Sequence, residues 1–501
     1  MLNIDQIDDN STLKQVAHLL EKENVRLHKQ ISELIHENAR LKGVDAAEQL
    51  SLKLKKLEEQ MSAMQLRLYG ASSEKRGKGE TGKSKERQTG HGPRKQPELP
   101  IVEQTHEIPI EERVCDVCKG ALEEWEGQFE ESEEITVVER RFEIRKIKRK
   151  KYRCRCGECI KTAPGPLKLM SKGRYSLEFA VEVAIQKYLD HLPLERQVRI
   201  MKREGLKIDS QTLWDQIFHL AKVLTPVYEQ LPEHIFGSEV IHADETRWHL
   251  LEKGGRKTWQ IWAIASQDAV HYKILPSRSA KAGSEALQDY EGTVVCDGYQ
   301  VYQKLARDGP YEIDLAFCMA HARRKFMEAE PNYPKECKVA LDLIGEMYAV
   351  EKQVPSPLKL EGEEQRTALE LLLKLRQEKS RPIAEKLKEW ALKQRGLPES
   401  SFIKAVKYLL GHWDGLTRFL DDPKIPIDNN QAERTLRGLV IGRKNHYGSK
   451  SKRGTEVAAI FYSLIETSKL QGVDPKSYLL EATKAALKDP NTIIMPKDIL
   501  Q

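Results

Sequence analysis

No stretch of about 18 apolar residues occurs in the 501-residue chain, so no segment is a candidate for a membrane-spanning helix. The start, Met1-Leu2-Asn3-Ile4-Asp5-Gln6, lacks both a basic n-region and an apolar h-region, and a cytoplasmic protein is expected. Charge of one sign is also scarce: 82 Lys and Arg against 76 Asp and Glu leave a formal net charge of +6. Any affinity for nucleic acid must therefore come from local basic patches rather than from the field of the whole surface. Cysteines number eight, too few for a disulfide scaffold of this length. Five of them, Cys115, Cys118, Cys154, Cys156 and Cys159, lie close together, and in a reducing cytosol such clustering favours metal. What the chain does have is length beyond one hydrophobic core, so several domains are expected.

Leu13, Leu20, Leu27, Leu34 and Leu41 recur every seven residues, with Ala17, Asn24, Ile31 and Asn38 at the other core positions of the same register. This is a leucine-zipper pattern, and asparagine at such a position favours a parallel two-stranded coil, hence a homodimer. Gly43 interrupts the repeat before Leu50, Leu54, Leu57, Met61, Met64 and Leu68 resume it. A solvated amphipathic helix docked on its own chain is the alternative. From Ala71 to Pro100 apolar residues nearly vanish and Lys and Arg alternate with Gly, Ser, Thr and Pro, the composition of a flexible basic linker. It either follows DNA phosphates or serves as a solubilising tether.

Cys115-x2-Cys118 precedes alternating strand-like segments, and Cys154-x-Cys156-x2-Cys159 follows them. A cysteine pair at each end of a strand pair reads as a zinc ribbon holding a structural Zn²⁺ through four thiolates. Cys115 and Cys118 form one half, and Cys159 pairs with Cys156 or with Cys154. The dense run that includes Arg149, Lys150 and Lys151 stands beside it and reads as a DNA-backbone contact. Farther on, Leu194 to Glu204, then Gly205, then the capping residues Asp209 and Ser210 outline a helix-turn-helix in which Ser210, Gln211 and Thr212 face a major groove. Two packed helices of an ordinary helical domain would give the same pattern.

Glu239 to Ala243 reads as a strand ending at Asp244; Thr258 to Ala265 and Val270 to Leu275 are the next two strands. Thr293 to Cys296 is a fourth, ending at Asp297. A strand, a meander and a further strand, with carboxylates at two strand ends, is the order of a ribonuclease H-like core. Phosphoryl transfer on DNA needs two divalent cations about 4 Å apart, neutralising the attacking and leaving oxygens. Asp244 would bridge them, Asp297 would hold one from the adjacent strand, and Glu433 would hold the other from a helix opening at Asp428-Asn429-Asn430. From Asp297 to Glu433 the chain runs 136 positions, much of it with helical apolar spacing, which predicts an inserted helical domain. Trp390 and Trp413 read as core residues of that domain. Cys318-x2-His321 supplies two potential ligands only, and a structural role is the default reading.

Several segments carry a family resemblance: His242-Ala243-Asp244-Glu245-Thr246, Cys296-Asp297-Gly298-Tyr299, Cys318 to Phe326, Asp428 to Arg434 and Ile441-Gly442-Arg443-Lys444-Asn445. They resemble the transposases of the insertion sequence 66 family over nearly the whole chain, including the zipper, the zinc ribbon and the late Tyr462 to Thr467 helix. The resemblance implies that Asp244, Asp297 and Glu433 are a DDE triad binding two Mg²⁺ or Mn²⁺. The second cysteine group is the one departure from the pattern. Arg434, Arg437, Arg443 and Lys444 flank Glu433 and are expected to touch DNA phosphates, or, for Arg434, to pair with the core carboxylates.

The expected architecture is multidomain α+β: a coiled coil at 1–70, a basic linker at 71–110, a zinc ribbon at 111–165, and a helical, helix-turn-helix-like DNA-binding domain at 166–235. The ribonuclease H-like core then comes in two parts, 236–325 and 421–501, around a helical insertion at 326–420. The expected function is metal-dependent cleavage at the ends of a mobile element and strand transfer into target DNA, by a homodimer working with or without accessory element-encoded proteins. A noncatalytic DNA-binding regulator and a nuclease that stops at hydrolysis are the rivals.

Overall fold

A computed structural model describes residues 142–499 apart from 154–159, 172, 253–257, 310, 358–359 and 397–398. The zipper, the basic linker and all five clustered cysteines lie outside the described residues. Two short strands, β1 (Lys151–Arg153) and β2 (Ile160–Thr162), pair antiparallel with Arg153 opposite Ile160, one on each side of the second cysteine group. Arg149 donates from Nε to the Ala163 carbonyl at 2.6 Å, while Lys150 and Lys151 are exposed.

Three helices follow: α1 (Leu177–Tyr188), α2 (Leu194–Arg203) and α3 (Ser210–Phe236). Asp209 caps α3 by accepting from the Thr212 amide at 2.7 Å, as its position before an apolar-periodic run predicts. The helix continues well beyond Phe218 and carries Pro226 and Pro232 inside it. Burial of Leu220, Leu224, Val227, Leu231 and Ile235 along one side offsets the backbone bonds those prolines remove.

The central sheet has five strands in the order β5-β4-β3-β6-β7. β3 (Val240–His249), β4 (Thr258–Ala265) and β5 (Val270–Leu275) form an antiparallel meander. The chain then crosses through α4 (Ala280–Leu287) to β6 (Gly292–Cys296), and through α5 (Gln300–Asp308) to β7 (Ile313–Phe317), both strands running parallel to β3 in a continuous ladder. Val294, Val295 and Cys296 of β6 and Ile261 to Ala265 of β4 are buried, as central strands covered on both faces require.

The stretch after β7 is helical, as its apolar spacing predicts: α6 (Met319–Ala329), α7 (Pro334–Glu351), α8 (Gly362–Leu375), α9 (Arg381–Lys393), α10 (Ser401–Gly411) and α11 (Trp413–Thr417). Phe326, Ile344, Leu387, Leu409 and Leu416 share one core, against which Trp390 and Trp413 pack half-buried. Where α8 meets α9, residues Arg376–Ser380 form a π-helical turn, and the Arg376 side chain is 1% exposed. Its guanidinium pairs with both Glu351 carboxylate oxygens at 2.8 Å and donates to the carbonyls of Phe419, Asp422 and Ile425 at 2.6, 3.1 and 3.0 Å. A buried charge so fully partnered is far cheaper than an unpaired one.

The chain then returns to the sheet through α12 (Asn430–His446), α13 (Lys452–Leu470) and α14 (Pro475–Lys488). Every residue of α13 from Val457 to Ser468 is buried. On it, Ser463 and Thr467 accept the outward amides of Tyr272 and Val270 at 2.9 and 3.1 Å, closing the free edge of β5.

Candidate active site

Side chains of β3 alternate between the sheet's two faces, and the even-numbered positions meet α12. His242 Nδ1 lies 2.8 Å from the Asn429 amide oxygen, and Asn429 donates through its side-chain nitrogen to the Ala243 carbonyl at 2.9 Å. The Asn429 backbone amide in turn donates to Cys318 Sγ at 3.1 Å. Met319, the first residue of α6, donates its amide to the Ile427 carbonyl at 3.0 Å. The opening of α12 is thus bound to β3 one residue before Asp244 and to the start of α6. At its far end, Arg443 donates to Thr246 Oγ1 at 3.2 Å and to the Arg247 carbonyl, and Trp248 donates to Ser449 Oγ at 3.2 Å.

Asp244 lies in the middle of β3 rather than at its end. Parallel pairing with β6 stops at His242, whereas pairing with β4 continues to His249, so the strand outruns one neighbour while keeping the other. Asp244 therefore emerges beside the gap that opens beyond β6. Asp297 stands immediately after β6 and accepts from the Tyr299 amide at 2.9 Å. Gly298 donates its amide to the Tyr408 hydroxyl of α10 at 3.1 Å. A β-carbon there would meet that hydroxyl at 2.6 Å, so the close approach of the helical insertion requires glycine. Glu433 rides the first turn of α12, with Arg324 and His321 of α6 at 3.5 and 3.8 Å.

Burial pushes the Asp244 carboxyl up to about 7, aided by the negative charges of Glu245, Asp297 and Glu433. The three acids picked out by the sequence therefore share one electrostatic environment, although 53 positions separate Asp244 from Asp297 and 136 separate Asp297 from Glu433. They do not form a finished cage: among the described residues no three His, Cys, Asp or Glu side chains converge closely enough to hold a metal ion as they stand.

The neighbouring acid, Glu245, points to the other face. Its side chain is 1% exposed; it accepts from the Tyr302 hydroxyl at 2.7 Å and from Arg278 Nε at 2.7 Å. Arg278 stacks 3.8 Å from the centre of the Tyr299 ring, two residues after Asp297. Sequence reasoning missed this network, as it missed Asn429 and Arg324. The last two lay inside segments already singled out, whereas nothing local distinguishes Arg278.

The basic residues expected to meet DNA fall into two groups. Arg434, Arg437 and Lys444 are exposed on α12, and Ile441, 51% exposed, shares their stripe; Arg434 also donates to the Asn430 carbonyl at 3.2 Å. Arg443 is instead half-buried against β3, and Gln211 is exposed at the start of α3, donating to Asp215 at 2.8 Å. No helix among the described residues is long and apolar enough to cross a membrane.

Comparison with known proteins places these elements in a family. The family model described as "Transposase IS66 family" matches residues 172–457, from just before α1 into α13. Two relatives from Sinorhizobium fredii (strain NBRC 101917 / NGR234) are similar over most of their length. Uncharacterized protein y4jD is 32% identical over 405 residues, covering 77% of each chain. Uncharacterized protein y4hP is 29% identical over 408 residues, covering 75% of this chain and 71% of the other. The match spans the sheet, the helical insertion and all three carboxylates, and the chain belongs to the IS66 family of transposases.

Proposed function

We propose that this transposase cleaves the ends of its element and joins the freed 3′-hydroxyl to target DNA through a DDE triad of Asp244, Asp297 and Glu433. The observation that carries the reading is the Asp244 carboxyl, raised to about 7 by burial and by three neighbouring carboxylates, a site short of positive charge. The strand order β5-β4-β3-β6-β7, with acids on the central strand, after its parallel neighbour and on a helix across the face, is that expected of a ribonuclease H-like core.

The residues suit a divalent cation chemically: three hard oxygen donors share one negative field. Magnesium commonly takes one or two protein carboxylates and completes its shell with water and substrate phosphate, so the lack of a converged protein cage fits Mg²⁺ or Mn²⁺. When bound, two such ions would neutralise negative charge on the phosphate oxygens and favour both the attacking and leaving oxygens. Asp244, Asp297 and Glu433 would hold them. Asn429 and His242 fix the α12 opening against β3, Tyr408 seats the Asp297-Gly298 turn, and Arg324 stands where it can meet a phosphate oxygen beside Glu433. Both steps are in-line displacements by an oxygen nucleophile, and no covalent intermediate with the protein is needed. Homodimerisation through residues 1–70, a structural zinc held by Cys115, Cys118, Cys159 and Cys156 or Cys154, and cooperation with accessory proteins complete the proposal.

The test is a calorimetric Mn²⁺ titration of wild type, Asp244→Asn and Glu433→Gln, each with and without duplex from the element's end. It is paired with an assay for joined products from a precut 3′-hydroxyl end. Binding lost in both variants, with joining lost too, supports the triad. Equal binding and equal joining in all three proteins would sink it. Cut but unjoined products from the wild type would reduce the activity to a nuclease.

A further inference from the structure

The turn between α12 and α13 and the helix beside it carry cations that pair with no carboxylate among the described residues. Lys222 of α3 places its ammonium 4.7 Å from the centre of the Phe218 ring, and Arg453, in the first turn of α13, places its guanidinium 4.9 Å from the same ring. Trp214, one turn earlier, stacks on Phe218 at 6.3 Å. Lys222, Lys450 and Arg453 are exposed, and among the described residues no carboxylate pairs with any of them. Lys187, half-buried at the end of α1, lies 5.4 Å from the centre of the Tyr188 ring. Burial and the charge of Lys450 lower its ammonium to about 8.

This patch is rigidly mounted. Ser449 donates its amide to the His249 carbonyl at 2.9 Å and accepts from the Leu251 amide at 2.8 Å, joining the turn to the end of β3. Gly448 adopts φ +101, and a β-carbon there would come within 2.1 Å of the His249 carbonyl oxygen, so only glycine allows the turn to seat so closely. A cation stacked on an aromatic face keeps most of its donors free. Cations held near one another without ion-pair partners among the described residues cost free energy that an incoming polyanion would recover.

We infer that Lys187, Lys222, Lys450 and Arg453 form a second DNA-backbone site, remote from the three carboxylates. From Glu433 to the end of α12 at His446 the helix runs 13 residues, about 20 Å at 1.5 Å per residue, and its exposed Arg434, Arg437 and Lys444 line that length. The ligand is the phosphate backbone of duplex DNA, read without regard to sequence, so the patch orients a duplex whose reacting end lies at the other end of α12. The inference rests on DNA being the substrate of this transposase.

The experiment titrates full-length protein with fluorescein-labelled duplex of arbitrary sequence across a salt series. The proteins are wild type, the control Lys374→Ala on the exposed face of α8, the double variant Lys222→Ala/Arg453→Ala, and Lys187→Met. Each lost phosphate contact lowers the slope of log K against log salt by about 0.9, so the double variant should lose about 1.8 while Lys374→Ala keeps the wild-type slope. Lys187→Met should bind DNA more weakly yet melt at a higher temperature without DNA, opposite signs that a purely structural lysine would not give. A wild-type slope in the double variant overturns the inference while leaving the transposase reading intact. Failure of the wild type to bind any duplex overturns both.

Discussion

Asp244 and Glu245 are consecutive acids on one strand with opposite fates. Glu245 turns to the face covered by α4 and α5, where Arg278 and Tyr302 satisfy it. Asp244 turns to the face covered by α12, where its neighbours are other acids and the Glu245 amide donates to it at 2.8 Å. A fully partnered buried carboxylate holds a fold together. A carboxylate surrounded by others weakens the fold unless something outside the chain supplies the missing charge, and that asymmetry separates a brace from a site.

Exchanging the two acids for amides is the sharpest way to probe this contrast. Asp244→Asn should remove about 10³-fold or more of strand joining, by analogy with deletion of a main electrostatic contributor to catalysis, while its thermal midpoint stays at or above wild type. Loss of folding in that variant would erase the distinction.

Asn429→Ala attacks the bracket instead of the site. It strands His242 Nδ1 and the Ala243 carbonyl in a buried setting, and about 2–4 kcal/mol of stability should go with them, read as a lower denaturant midpoint. An unchanged midpoint would mean that α12 is held by other contacts. Glu245→Gln should cost less, about 1–3 kcal/mol, because the amide can still accept from Tyr302 while it loses the charge facing Arg278.

The finest test is the pH dependence of stability. The folded Asp244 carboxyl titrates near 7, above its ordinary value of 3.8, so the folded state binds more protons than the unfolded state between these limits. Stability from this group is then greatest at low pH and falls as pH rises from about 4 to about 7, by less than about 1.4 kcal/mol per unit. In metal-free buffer the difference in unfolding free energy between wild type and Asp244→Asn should follow that slope. A difference that is flat with pH would mean that Asp244 is ionised at little cost.

Much of this arrangement was legible in the chain. Alternation and β-branched residues gave the strands around Asp244 and Asp297, and the Asp428-Asn429-Asn430 run marked the opening of α12. β7 was harder to see because Ile313-Asp314-Leu315-Ala316-Phe317 is short and interrupted by a charge. The extent of α3 ran against the usual effect of proline. The site's supports were hidden for a different reason: His242 and Asn429 are 187 positions apart, and only tertiary packing brings such pairs together. Lys222 and Arg453 meet at Phe218 in the same way, with no local pattern to announce it.

Arg376 bears on how such a chain can be inherited. Its guanidinium reaches from the α8–α9 junction to three carbonyls in the segment that leads into Asp428. The helical region is therefore not a cassette that recombination can trade between relatives at will. A graft ending anywhere between 376 and 425 would separate donor from acceptors, and a viable hybrid must carry both sides of that clasp from the same parent.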